Sequence, residues 1–151
     1  MSLVAVVLAP LFEELGWRGY GVDSLNRKGR SLLTSTLIFS LLWNLWHLPL
    51  FFIKGYYHYE ILHTNIFYAF NFVVSIFPAA LLSNWIFYTN NRSILAVIIF
   101  HSILNLCSVL LQTEQFTKGI ITLILLLLSG LIVFRNKELF MKIEDVKRVK
   151  L

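Results

Sequence analysis

Long apolar segments alternate with short polar ones along most of this chain. A helix that crosses a bilayer needs about 20 mostly apolar residues. Four segments reach this length, namely Ser31 to Ile53, Asn65 to Tyr88, Ser93 to Gln112 and Thr117 to Phe134. A shorter apolar segment, Leu3 to Phe12, ends at a pair of glutamates and predicts a partial first helix, whose continuation through Trp17 stays open. The pattern therefore predicts an all-α protein that folds as a multi-pass transmembrane helix bundle.

The amino-acid composition supports a membrane location. Of the 151 residues, 58% are hydrophobic and 14% are charged, whereas a soluble domain carries about 25% charged residues. The polar surface is too small to cover a globule of this length, so the remaining apolar surface is expected to face lipid. The single cysteine, Cys107, cannot form an internal disulfide, and in its apolar segment it is expected to behave as a small hydrophobe.

The basic residues mark one side of the predicted bundle. The net charge is +5, but these residues lie next to apolar segments, so we expect contact with a lipid bilayer and not with nucleic acid. Alternation across the four spans puts most of them on one side, namely Arg18, Arg27, Lys28, Arg30, Arg92 and the basic residues of the tail. The other side carries Lys54 and Lys118. The basic side is therefore expected to be cytoplasmic in a multi-pass protein of the cell membrane.

The C-terminal tail has its own pattern. Apolar residues recur at three- and four-residue steps among basic ones, at Leu139, Phe140, Ile143 and Val146. This spacing predicts a short amphipathic helix on the anionic inner leaflet, and the alternative is a disordered basic tail. The domain division predicted is a membrane domain over residues 1–134 and a basic cytoplasmic tail over 135–151.

Three polar clusters lie within or beside the apolar segments, where ionisable residues are costly and usually functional. The first is Glu13, Glu14 and Arg18. Glu14 and Arg18 have the i, i+4 spacing of a helical salt bridge. Glu13 points about 100° away and has no nearby cation, so desolvation would suit it to act as a general base. The alternative is an interfacial charge cluster with both acids solvated.

The second cluster contains Trp43 and His47, one helical turn apart on one face of the second apolar segment. Its alternative is an interfacial aromatic belt with a histidine at the wet end. The third cluster is His101 and Asn105, whose i, i+4 spacing points both side chains in the same direction. Both side chains donate hydrogen bonds, as an oxyanion hole requires, and the alternative is a polar pair that joins neighbouring helices.

Together, the three clusters resemble the motifs of the CPBP family of intramembrane proteases, which includes CAAX prenyl endopeptidases and bacteriocin-processing, Abi-like proteins. The family motifs are E-E-x-x-x-R, F-x-x-x-H and H-x-x-x-N/B. The matching residues are Glu13, Glu14, Arg18, His47, His101 and Asn105, with Trp43 where the family has Phe. The flanking residues 9–20 and 45–49 are also similar to those of bacterial members. Family members carry further helices before the first motif, so this chain is expected to lack N-terminal helices of the family domain.

The resemblance implies hydrolysis of a peptide bond in a peptide or protein substrate within the membrane. It assigns activation of the attacking water to Glu13 and His47, the oxyanion hole to His101 and Asn105, and bracing of the first helix to Glu14 and Arg18. On this assignment no cofactor is needed. The alternative is a zinc enzyme in which Glu13, His47 and His101 are the metal ligands.

Two further questions stay open at the level of sequence. The chain is expected to be an endopeptidase, and the bacterial-looking flanks suggest bacteriocin processing or self-immunity. The alternative is a non-catalytic immunity or scaffold protein built on the same fold. Because each polar residue is costly in lipid unless it faces inward, we expect Glu13, His47, His101 and Asn105 to converge on one cavity.

Overall fold

The computed structural model describes residues 3–27, 29–110 and 113–143, and within these ranges the chain is helical throughout with no β-strand. The α-helices in chain order are α1 (Leu3–Gly16), α2 (Val22–Asn26), α3 (Leu32–His47), α4 (Tyr57–Thr64), α5 (Ile66–Thr89), α6 (Ile94–Leu110), α7 (Gln115–Arg135) and α8 (Lys137–Met141). A π-helical segment, Trp17–Gly21, and a 3₁₀ segment, Leu48–Phe52, extend α1 and α3. The predicted all-α bundle is confirmed.

Three of the predicted spans are long and apolar enough to cross a membrane. They are Leu32–Phe52, Ile66–Thr89 and Gln115–Arg135. The fourth predicted span, Ser93 to Gln112, contains α6, which is shorter, and residues 111 and 112 lie outside the described part of the chain. The segment between Lys54 and Asn65 differs from the short connection that the sequence suggested, because it contains α4.

The first helix is longer than the apolar segment that predicted it. Helix α1 continues through the π-helical segment into α2, and both junction residues, Gly16 and Gly21, keep right-handed helical backbone angles. The helix continues past the two glutamates because Glu14 and Arg18 bond each other inside the protein. Single π-helical turns of this kind often occur at functional sites.

The helices pack so that α5 lies at the centre. Helix α5 contacts α3, α6 and α7, and α1 packs against α6. The largest buried apolar cluster joins Val22, Phe39, Trp43 and Ala80 with Phe140. Large apolar side chains of α7 such as Leu127 are exposed on the outside of the bundle, as expected for a surface that faces lipid.

The described part of the tail packs onto the protein. Helix α8 contacts α3, and its Phe140 is completely buried. Ile143 forms an isolated antiparallel bridge with Ser31. This differs from the predicted amphipathic helix on the leaflet, because the apolar surface of α3 offers Phe140 a protein environment. Lys28 and residues 144–151, which include Val146, lie outside the described residues.

Candidate active site

Glu14 is the buried centre of the site. Its Oε2 atom accepts a hydrogen bond of 2.7 Å from Arg18 Nη1, and its Oε1 atom accepts one of 2.8 Å from His101 Nδ1. The Glu14 and Arg18 side chains are both fully buried. The contact with His101 joins α1 to α6 and connects the first predicted cluster to the third.

Aromatic rings surround the guanidinium of Arg18. Its Cζ atom lies 5.2 Å from the ring centroid of Phe39 and 5.4 Å from that of Trp43. Such cation–π contacts stabilise a buried cation. The Trp43 ring also meets the His101 ring edge-on, with centroids 5.4 Å apart. Trp43 therefore contacts the groups of all three predicted clusters.

His47 is held in one tautomer by the backbone of its own helix. Its Nδ1 atom lies 2.9 Å from the carbonyl oxygen of Trp43, one turn earlier. A carbonyl oxygen can only accept, so Nδ1 must carry the proton. In the neutral ring the other nitrogen, Nε2, then keeps its lone pair. This is the form in which a histidine accepts a proton from water.

A cavity of about 310 Å³ brings together residues of two predicted clusters. His47, His101 and Asn105 all line it, with Trp43 between the two histidines. The volume lies at the lower end of the range of roughly 300–1,000 Å³ for ligand pockets. The cavity can therefore hold a short extended peptide segment together with water.

The two glutamates occupy different environments. Glu14 is completely buried behind His101, whereas Glu13 is partly buried and makes no hydrogen bond to any described residue. The Glu13 carboxylate lies close enough to Arg18 to interact with it electrostatically. Neither glutamate is among the residues that line the cavity. Of the four residues expected to converge, the structure thus brings His47, His101 and Asn105 to one cavity, with Glu13 outside its lining.

The zinc alternative requires three ligands to approach one point. Across the described ranges, no three His, Cys, Asp or Glu side chains are grouped closely enough to hold a metal ion. The Nδ1 atom of His101 bonds Glu14, so Nε2 is the ring nitrogen of His101 that is left for another contact. The zinc alternative stays a prediction, and no step of the chemistry proposed below passes through a metal.

His58 on α4 is a site residue that the sequence reasoning missed. Its ring centroid lies 5.4 Å from that of His47 and 4.5 Å from that of Phe72. The side chain is buried, and neither ring nitrogen has a hydrogen-bond partner among the described residues. Burial, and secondarily the charge of His47, lower the pKa of His58 from 6.5 to about 4. No spacing rule connects His58 to His47, since the chain reverses direction between them.

The chain is similar in sequence to known proteins. Residues 1–107 match the family model described as type II CAAX prenyl endopeptidase Rce1-like. The chain is also 42% identical over 138 residues to CAAX prenyl protease 2 of Methanococcus maripaludis, an alignment that covers 91% of this chain and 51% of the relative. The chain spans about half the length of the curated relative that it matches.

Proposed function

Since the chain belongs to the Rce1-like family of type II CAAX prenyl endopeptidases, we propose that it is an intramembrane endopeptidase that uses an activated water. The observation that carries the proposal is the shared cavity, which is lined by a histidine with a free Nε2 lone pair and by two candidate oxyanion donors. The three apolar helices are consistent with the membrane location of such an enzyme.

In the proposed reaction, His47 Nε2 takes a proton from a water molecule in the cavity. The water oxygen attacks the carbonyl carbon of the scissile peptide bond, and the carbonyl π electrons move to its oxygen. When the tetrahedral intermediate collapses, the C–N bond breaks and the leaving nitrogen takes the proton from His47. The products are a carboxylate and an amine, and the enzyme forms no covalent bond to the substrate.

We assign stabilisation of the negatively charged oxygen of this intermediate to His101 and Asn105. The Glu14 carboxylate accepts the Nδ1 proton of His101 and so orients the ring, and a donor at the other ring nitrogen, Nε2, requires a second proton. This second proton, together with the Asn105 amide, would stabilise the negative oxygen. Arg18 balances the charge of Glu14 from its other side.

We assign Glu13 a second role at the attacking water. The support for this assignment is the match of Glu13 to the family motif and a partly buried carboxylate with no hydrogen-bond partner among the described residues. Because Glu13 lies outside the cavity lining, its role requires that the water lies between the cavity and α1. Glu14 and Arg18 position His101 and brace the first helix, since both are buried and bonded to each other.

The substrate class proposed is a membrane-anchored peptide of the prenylated CAAX type, because the matched family and the matched relative are both described as CAAX prenyl proteases. A prenyl chain would reach the cavity through the lipid-facing surface between the helices. Maturation of a bacteriocin, or self-immunity, is the second substrate hypothesis, and a non-prenylated membrane peptide tests it. We also propose that the tail is cytoplasmic, in line with the bias of basic residues.

Replacing His47 with glutamine tests the mechanism. His63→Gln is a matched control, because His63 also bonds the carbonyl oxygen four residues earlier at 2.9 Å but is exposed on α4. In proteoliposomes that contain the full chain and a quenched farnesylated peptide, His47→Gln should lower kcat by about 10²–10⁴-fold. His63→Gln should stay close to the wild-type rate.

Two outcomes would overturn the proposal in different ways. If His47→Gln kept a rate within about threefold of the control, His47 would not be the base. If the folded wild-type protein cleaved neither prenylated nor unmodified membrane peptides, the non-catalytic scaffold or immunity function would replace the endopeptidase.

A further inference from the structure

Helix α7 contributes a cation to the cavity that holds the proposed catalytic residues. The cavity-lining residues of α7 are Lys118, Ile121, Thr122 and Leu125, which share one helical face. Within the described part of the chain, the lining contains no Asp, Glu or Arg, and Lys118 is its single lysine. The same cavity therefore contains the amino group of Lys118 as well as the proposed donors of the oxyanion hole.

The Lys118 ammonium is held in place without being neutralised. Its Nζ atom donates a hydrogen bond of 3.2 Å to Tyr57 Oη and lies 4.6 Å from the Tyr57 ring centroid. Tyr57 Oη in turn donates to Gln115 Oε1 at 3.2 Å. No carboxylate pairs with Lys118 among the residues that the structure describes, and two of its three donor hydrogens remain available.

A partly buried ammonium without a counter-ion is poorly stabilised, and an anion that enters the cavity would remove this cost. The substrate of the proposed reaction is a peptide, and the anion that every peptide chain carries is its terminal carboxylate. The small cavity volume limits the segment between the oxyanion donors and Lys118 to a short one. These three observations specify both the ligand and its position along the substrate.

We propose that Lys118, held by Tyr57 and Gln115, binds the terminal carboxylate of the substrate and thereby selects peptide bonds close to the C-terminus. This inference rests on the proposed endopeptidase function. Lys118 does not touch the reacting bond, so it is a specificity-determining residue. Its contact exists equally in the bound substrate and in the transition state, and its loss should raise KM more than it lowers kcat.

The test compares two farnesylated peptides that differ only at the terminus, which is a free carboxylate in one and a carboxamide in the other. The wild-type protein should prefer the carboxylate by about 10- to 100-fold in kcat/KM, the value of a charge-assisted hydrogen bond. Lys118→Met should lower cleavage of the carboxylate peptide to the level of the carboxamide and leave the carboxamide unchanged. Lys54→Met is the matched control, since Lys54 is exposed and outside the lining.

A second variant separates the loss of the Lys118 charge from a folding defect in Lys118→Met. Lys118→Arg keeps the charge, so it should keep a preference for the carboxylate while Lys118→Met loses it. If Lys118→Met does not fold, Lys118→Gln replaces it, and its preference for the carboxylate peptide is compared with that of Lys118→Arg. A peptide extended beyond the normal terminus should be cleaved as poorly as the carboxamide by the wild type.

Failure of the carboxylate subsite and failure of the proposed endopeptidase function give different results in this test. A wild type that cleaves both peptides equally would overturn the carboxylate subsite and leave the endopeptidase intact. If Lys118→Met and Lys118→Arg both lost cleavage of the two peptides to the same extent, Lys118 would be a structural residue. Absence of cleavage of either peptide by the folded wild type would instead count against the proposed function itself.

Discussion

Glu14→Gln would remove the negative charge that lies between Arg18 and His101 in the protein interior. Glu14 accepts hydrogen bonds from Arg18 and from His101, and both partners of the ion pair are fully buried. Loss of Glu14 leaves the buried Arg18 guanidinium without its hydrogen-bonded carboxylate. Loss of one partner from a buried pair costs about 3–5 kcal/mol, so Glu14→Gln and Arg18→Met should each destabilise the protein by that amount.

The double variant separates the pair from its individual residues. When both members are removed together, no buried charge is left without a partner, and the cost should be well below the sum of the two single losses. Arg92→Gln is an exposed control. Arg92 pairs with Asp23, and because its side chain is 51% exposed, its loss should cost less than about 1 kcal/mol.

The free energy of unfolding can be measured in mixed micelles by tryptophan fluorescence as the denaturing detergent is increased. The four tryptophans of the chain supply the signal. If Glu14→Gln cost less than about 1 kcal/mol, or if the double variant cost the full sum of the singles, the buried pair would not be coupled as argued. Cleavage should also fall in Glu14→Gln, because His101 loses its carboxylate partner.

The remaining predictions concern other parts of the chain. Glu13→Gln should lower kcat by about 10²–10⁴-fold while the protein stays folded. Glu60→Gln is the control, since Glu60 is exposed on α4, and it should leave kcat unchanged. If the two variants cleaved a peptide at equal rates, Glu13 would have no part in the mechanism. His58 has a depressed pKa, so its neutral form stabilises the fold fully above pH 6.5 and less as the pH falls toward 4. Between pH 7.5 and 5, unfolding measurements should therefore show the wild type losing about 2 kcal/mol more than His58→Leu. Phe140→Ala should destabilise the protein by about 3–5 kcal/mol in the same unfolding assay, because the ring is completely buried, and a loss below about 1 kcal/mol would show that the tail does not dock. A cysteine at exposed Lys142 should react with an impermeant maleimide only from the cytoplasmic side, and labelling from the outside would reverse the proposed orientation.

The apolar segments were sufficient to predict the spans α3, α5 and α7, because a bilayer imposes a minimum length on each crossing helix. For the first helix, the apolar segment ends at the glutamates, and the sequence left its continuation through Trp17 open. Its continuation depends on the Glu14–Arg18 pair being buried by other helices, and apolar length alone does not contain that information. Helix α4 was missed because it is short and belongs to neither a span nor a motif.

In the candidate site, contacts within one helix could be predicted from the sequence, and contacts between helices could not. The spacing of Glu14 and Arg18 predicted their salt bridge, which the structure contains. The second bond of Glu14, to His101, joins residues far apart in the sequence, and only the packing of α1 against α6 creates it. The same is true of His58 beside His47, and of Lys118 beside Tyr57.

The burial of Phe140 has a consequence for the order in which the protein is made. Phe140 completes the apolar cluster that also contains Val22, Phe39 and Trp43, and it leaves the ribosome after all three spanning helices. Until then the cluster has a vacant position beside the helix that holds Trp43 and His47. This cluster is therefore completed last, when α8 docks onto the helices that are already inserted in the bilayer.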